Sequence, residues 1–95
     1  MVKTIIKISS KTCAPCFLFA ETFKKASELE QYKEIEFKTL DVTDDDSPIL
    51  IEKYNIRNVP TTLMLDEDNE LIYKLIGNIP LDDFTSVINN AINKE

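Results

Sequence analysis

Apolar residues follow more than one rhythm along this chain. Val2 to Ser9 crowds Ile5, Ile6 and Ile8 together with little polar alternation, which predicts a strand covered on both faces, as at the centre of a mixed sheet. After the polar turn Ser10-Lys11-Thr12 the period changes. Cys16, Phe19, Ala20, Phe23, Ala26 and Leu29 recur at three- and four-residue steps, predicting a helix of about four turns from Cys13 onward, with Thr12 or Cys13 as its N-cap. Tyr32 and Lys33 close that element. Ile35 to Val42 then reads as a second strand through Ile35, Phe37, Leu40 and Val42, with a slip of phase near Thr39. Strand, helix, strand in this order implies a right-handed parallel crossover.

In the second half, Ser47 and Pro48 form an N-cap and first-turn pair ahead of a short helix over Ile49 to Tyr54. Asp44, Asp45 and Asp46 precede it, where negative charge complements the helix dipole. The loop Asn55-Ile56-Arg57-Asn58 ends in Val59-Pro60. Thr61 to Leu65 and Leu71 to Ile76 are strands joined by the polar turn Asp66 to Asn69, a hairpin. Gly77, the only glycine, marks a backbone that needs positive φ or a close approach. Pro80 opens a last helix with Leu81, Phe84, Val87, Ile88, Ala91 and Ile92 on its apolar face. The order β-α-β-α-β-β-α is an α/β domain, and no repeat or linker divides residues 1–95.

Composition narrows the functional classes. At 95 residues the chain buries roughly 60 to 65% of its unfolded surface, enough for a core without staples. A net charge of −6 repels phosphate backbones, so nucleic acid is not an expected partner. No stretch has the length of a membrane span, and the lysines of Met1 to Lys11 run straight into a strand pattern rather than a signal sequence. A cytoplasmic monomer is the expectation. The acidic run lacks the ligand spacing and glycine of a calcium loop. Two cysteines without histidine would complete a zinc site only across a dimer, so no metal is expected.

The candidate chemistry lies in Thr12-Cys13-Ala14-Pro15-Cys16-Phe17, which holds both cysteines. A bridge between residues three apart closes too short a loop to stabilise a fold much, so the pair reads as chemical. The competing reading is two small apolar core residues. A cysteine at the first turn of a helix faces unpaired N–H groups and the dipole, which favour its thiolate. Cys13 meets that description, whereas Cys16, in phase with Phe19 and Phe23, is half buried. The roles follow: Cys13 attacks a substrate disulfide, and Cys16 then attacks Cys13, releasing reduced substrate and leaving an oxidised Cys13–Cys16 pair. Pro15 stiffens the turn. Lys11 either adds a tuning positive charge or is a solvated turn lysine.

The Cys13-Ala14-Pro15-Cys16 turn after a strand, the Val59-Pro60-Thr61 step before a third strand and Gly77 after a fourth together resemble a minimal thioredoxin-family protein, across nearly the whole chain. The resemblance implies a thioredoxin-like fold, a four-stranded mixed central sheet flanked by three helices. It also implies a cis Pro60 packed beside the cysteines, with the Val59 backbone pairing with an extended substrate segment. The activity implied is protein-disulfide reduction, with no bound cofactor and with electrons from a thioredoxin reductase or glutathione. The chain departs from the family at Thr12, where a tryptophan is usual, at Ala14, where a glycine is usual, and at Lys7, near the place of a buried acid that helps deprotonate the second cysteine. Lys7 either favours the Cys16 thiolate electrostatically or snorkels its ammonium to solvent or an acid. A glutathione-dependent, glutaredoxin-like oxidoreductase and a non-catalytic binding module are the alternative functions.

Overall fold

The computed structural model describes residues 1–93. Its elements are β1 (Thr4–Ser9), α1 (Ala14–Ser27), a 3-10 turn (Glu30–Tyr32), β2 (Glu36–Asp41), α2 (Ser47–Lys53), β3 (Thr61–Leu65), β4 (Leu71–Ile76) and α3 (Leu81–Asn93). The strands form one sheet in the order β2-β1-β3-β4. β1 pairs parallel with β2 and antiparallel with β3, and β3 pairs antiparallel with β4, so the sheet is mixed as expected. β1 is central, and Thr4 through Ile8 are all buried.

The alternation of β1 divides the core in two. Ile5 opposes Met64 across the ladder, and both join Val2, Phe19, Phe23, Ala26, Tyr32, Phe84, Ile88 and Ala91 under α1 and α3. Ile6 opposes Leu63, and these pack with Ile8, Leu65, Tyr54 and Ile56 on the α2 face. The phase slip near Thr39 has the same cause. Phe37 packs into the first cluster, whereas Leu40 and Val42 pack into the second, so β2 serves both faces in turn.

α1 stops at Ser27, short of the expected Leu29. Ser27 Oγ donates to the Lys24 carbonyl at 2.6 Å, and Leu29 turns extended (φ −73°, ψ 133°) before the 3-10 turn. That turn seats Tyr32 in the core, its hydroxyl 2.7 Å from Asn89 Oδ1 and 3.2 Å from the Thr85 carbonyl of α3. The 3-10 turn escapes a pattern search because three residues carry no periodicity.

The expected N-cap of α2 is corrected. Asp46 holds the capping position without a side-chain cap bond, and Ser47 is already helical. Fully buried, Ser47 donates its hydroxyl to the Asp41 carbonyl instead. The preceding acids build the turn: the Asp41 N–H donates to Asp44 Oδ2 at 2.7 Å, and Thr43 donates its N–H and hydroxyl to Asp41 Oδ2. Gly77 has φ +95°, and nothing lies within 4 Å of where a Cβ would stand, so positive φ and not a close approach requires glycine there. Pro80 precedes α3 and its carbonyl accepts the Phe84 N–H at 2.9 Å.

Candidate active site

The crossover from β1 to α1 brings Cys13 to the N-cap of α1, in extended backbone (φ −104°, ψ 113°). Its sulfur accepts the Cys16 N–H at 3.2 Å, one of the donors a helix N-terminus leaves without an internal partner. Ala14 and Pro15 occupy the first helical positions and are exposed. Proline costs nothing there, because its missing N–H would have had no helical acceptor. Cys13 and Cys16 are joined as a disulfide with Cα atoms 5.2 Å apart. Cys13 is partly exposed, whereas Cys16 is only 4% exposed. An attacking partner therefore reaches Cys13 first.

The opposite wall comes from the loop before β3. The Val59–Pro60 bond is cis, as the resemblance implied, and Pro60 is buried. The Val59 carbonyl oxygen lies 3.6 Å from Cys13 Sγ. Thr61 donates its hydroxyl to the Asn58 carbonyl, which fixes the loop on the Pro60 side. Gly77 reaches this region through its N–H, which donates to the Pro60 carbonyl at 2.8 Å. Thr12 is exposed and its Oγ1 lies 3.2 Å from Ser10 Oγ, so its hydroxyl is engaged in shaping the turn.

Lys7 lies on the inner face of β1, opposite Thr39 and Thr62, and is 4% exposed. Its ammonium sits over the Phe23 ring, 5.1 Å from the centroid. Burial pulls its pKa below the ordinary lysine value. Lys7, Lys11, Cys16, Phe17, Ala20 and Asp41 belong to the lining of an open groove of about 180 Å³. Lys11 is exposed at its mouth. The Asp41 carboxylate is held below its usual pKa, first by the Thr43 hydroxyl and N–H and then by the charge of Lys11.

Sequence reasoning gave no role to Phe17 or Asp41, which both line this groove. Phe17 is 67% exposed beside Cys16, and the signal was present: it falls off the stripe of Cys16, Phe19 and Phe23. Asp41 reaches the groove because it stands opposite Ser9 in the β1–β2 ladder, a register that a single sequence does not specify.

The cysteine pair thus stands at a helix N-terminus, walled by a cis-proline loop on a mixed sheet. The match to the Thioredoxin family runs over residues 2–90, and the chain belongs to that family. It is similar to Thioredoxin H5 of Oryza sativa subsp. japonica, 36% identical over 73 residues that cover 77% of this chain and 50% of the rice protein. The chain thus spans half the length of that relative. Against a thioredoxin of Pyropia yezoensis it is 29% identical over 80 residues, 84% of this chain and 71% of the other. Among solved structures, thioredoxin f from spinach chloroplast (short form) superposes with TM-score 0.77 at 26% identity, covering 95% of this chain and 77% of that one. A chain from the complex of ferredoxin:thioredoxin reductase with thioredoxin f2 gives TM-score 0.76 at 26% identity, covering 93% and 76%.

Proposed function

We propose that this protein reduces disulfides in other proteins, and the observation that carries the reading is the Cys13 sulfur at the α1 N-cap, bonded by the Cys16 N–H and open on its outer side. In the dithiol state the Cys13 thiolate keeps that hydrogen bond and the favourable end of the helix dipole. It attacks one sulfur of a substrate disulfide, forming the mixed disulfide and expelling the other substrate sulfur as a thiolate that takes a proton from water. Cys16 then loses its proton and attacks Cys13 Sγ. The Cys13–Cys16 bond forms, the bond to substrate breaks, and the substrate leaves reduced by two electrons. Val59, at the end of a loop beside Cys13, offers backbone groups to an extended substrate segment, as an added strand would use them.

Recycling takes two electrons from a reductase of the thioredoxin-reductase type, a reading supported by the similar thioredoxin f2 whose structure is a complex with ferredoxin:thioredoxin reductase. The cycle belongs in a reducing compartment such as the cytoplasm. In an insulin-reduction assay the wild type turns over with a thioredoxin reductase, Cys13→Ser loses activity to background, and Cys16→Ser accumulates the mixed disulfide. Wild-type turnover only with glutathione and glutathione reductase would move the protein to the glutaredoxin-like alternative. A pair that does not cycle with dithiothreitol would make it a binding module.

A further inference from the structure

The proposed cycle leaves one buried charged group unused, and it lies beside the sulfur with the hardest task. Cys16 is almost fully enclosed, and burial in apolar surroundings raises a thiol pKa, yet resolution needs the Cys16 thiolate. The groove next to it is lined by Lys7. Among the described residues Lys7 makes no ion pair within 4 Å, and the Phe23 ring face is the one favourable contact its ammonium has. The other charged groups that line the groove are Asp41 and Lys11. Asp41, from β2, is held by Thr43 and by Lys11, and Lys11 comes from the turn after β1. From α1 the facing groups are Cys16 and the Phe23 ring, and the neighbours of Lys7 on β2 and β3 are the uncharged Thr39 and Thr62.

We propose that the Lys7 ammonium is the internal counter-ion of the Cys16 thiolate and accelerates resolution of the mixed disulfide. Lys7 is a positioning residue in this role: it keeps its proton, forms no bond to sulfur, and acts through the charge state of Cys16. The proton of Cys16 goes to solvent through the open groove, the Cys16–Cys13 bond forms as the Cys13–substrate bond breaks, and the substrate sulfur leaves with the electron pair. The proposal rests on the disulfide-reductase reading for its biological use, but not for its chemistry.

An opposite charge beside an ionisable group favours its charged form and so lowers the pKa of a thiol. A shift of one to two units makes the thiolate about ten to a hundred times more abundant at neutral pH, and because nucleophilicity falls as pKa falls, the net gain in rate is about three- to tenfold.

The test separates this charge effect from packing. In a Cys13→Ala background the remaining Cys16 thiol is titrated by its ultraviolet thiolate absorbance, with Lys7 intact and as Lys7→Met, Lys7→Gln and Lys7→Arg. The neutral variants move the Cys16 midpoint up by at least about one unit, and Lys7→Arg restores it. In the two-cysteine protein, Lys7→Met resolves a preformed mixed disulfide about three- to tenfold more slowly at neutral pH, and the deficit disappears above its own thiol midpoint. An unmoved midpoint, or a slowing of equal size at every pH, overturns the proposal. Lys7→Gln supplies the same readings if Lys7→Met fails to fold. The Cys16 titration involves no substrate, so a wild type that reduces no protein disulfide would sink the functional reading while the titration still decides the role of Lys7.

Discussion

The two faces of the sheet are built to different thicknesses. One is covered by α1 and α3, of 14 and 13 residues, and is filled with rings: Phe19 meets Phe84 edge-on at 5.1 Å, and Phe23 meets Phe37 at 5.4 Å and Phe84 at 6.1 Å. The other is covered by the seven-residue α2 and packs aliphatic side chains with Tyr54 as its buried aromatic. The thicker face is also the one that buries a charge, Lys7, at the end nearest the cysteines. A deep aromatic layer supplies both the stability to hold an ammonium out of water and a ring face to receive it. On the thin face the Tyr54 ring meets an exposed ammonium instead, that of Lys53 at 5.2 Å, and a buried polar group such as Ser47 is satisfied by backbone.

Truncation on each face tests that contrast most strongly. Phe84→Ala empties the junction of three rings and should cost about 3 to 5 kcal/mol in denaturant unfolding. Leu63→Ala, equally buried on the α2 face, should cost about 2 to 3 kcal/mol, because a short helix settles more readily into the gap. Equal losses would mean that the two layers are of equal rigidity. Next in size is Tyr32→Phe, which keeps the ring and removes the hydroxyl that joins the 3-10 turn to α3. A loss of about 1 kcal/mol is expected, and hydrogen exchange should rise in α3 rather than in α2. The smallest effect is expected at Asp41→Asn, where the faces meet at the groove. The Asp41 carboxyl is depressed in the folded state, chiefly by Thr43, so its contribution is present above the ordinary carboxylate pKa and is lost as pH falls through the lower folded value. The variant should therefore melt slightly below wild type at neutral pH, and the difference should vanish in strong acid. A difference that persisted there would assign the effect to packing.

The sequence carried the order of elements, the doubly covered β1, the hairpin, the apolar stripes of α1 and α3 and the N-cap position of Cys13, because each leaves a periodic or local mark. The α2 cap was misread because Ser-Pro after acids satisfies two arrangements, and the choice fell to the Asp41 carbonyl, which needed the Ser47 hydroxyl in the folded turn. Pro60 shows a different limit. Its bond geometry came from the resemblance, since nothing in Val-Pro-Thr distinguishes cis from trans. The neighbourhood of Lys7 was out of reach for a third reason: Phe23 arrives from two helical turns beyond the cysteines and Asp41 from the paired strand, and only the assembled layers set the one under the Lys7 ammonium and the other in the groove that Lys7 lines.

The central place of β1 also bears on synthesis. β1 leaves the ribosome before its antiparallel partner β3, which follows about sixty residues later, with Thr4 opposite Leu65. At roughly 5 to 20 residues per second, several seconds separate the two. Throughout that interval the nascent chain already carries Cys13, Cys16 and Lys7 but lacks the Val59–Pro60 wall, so both thiols meet the surrounding redox buffer before the fold can tell one from the other.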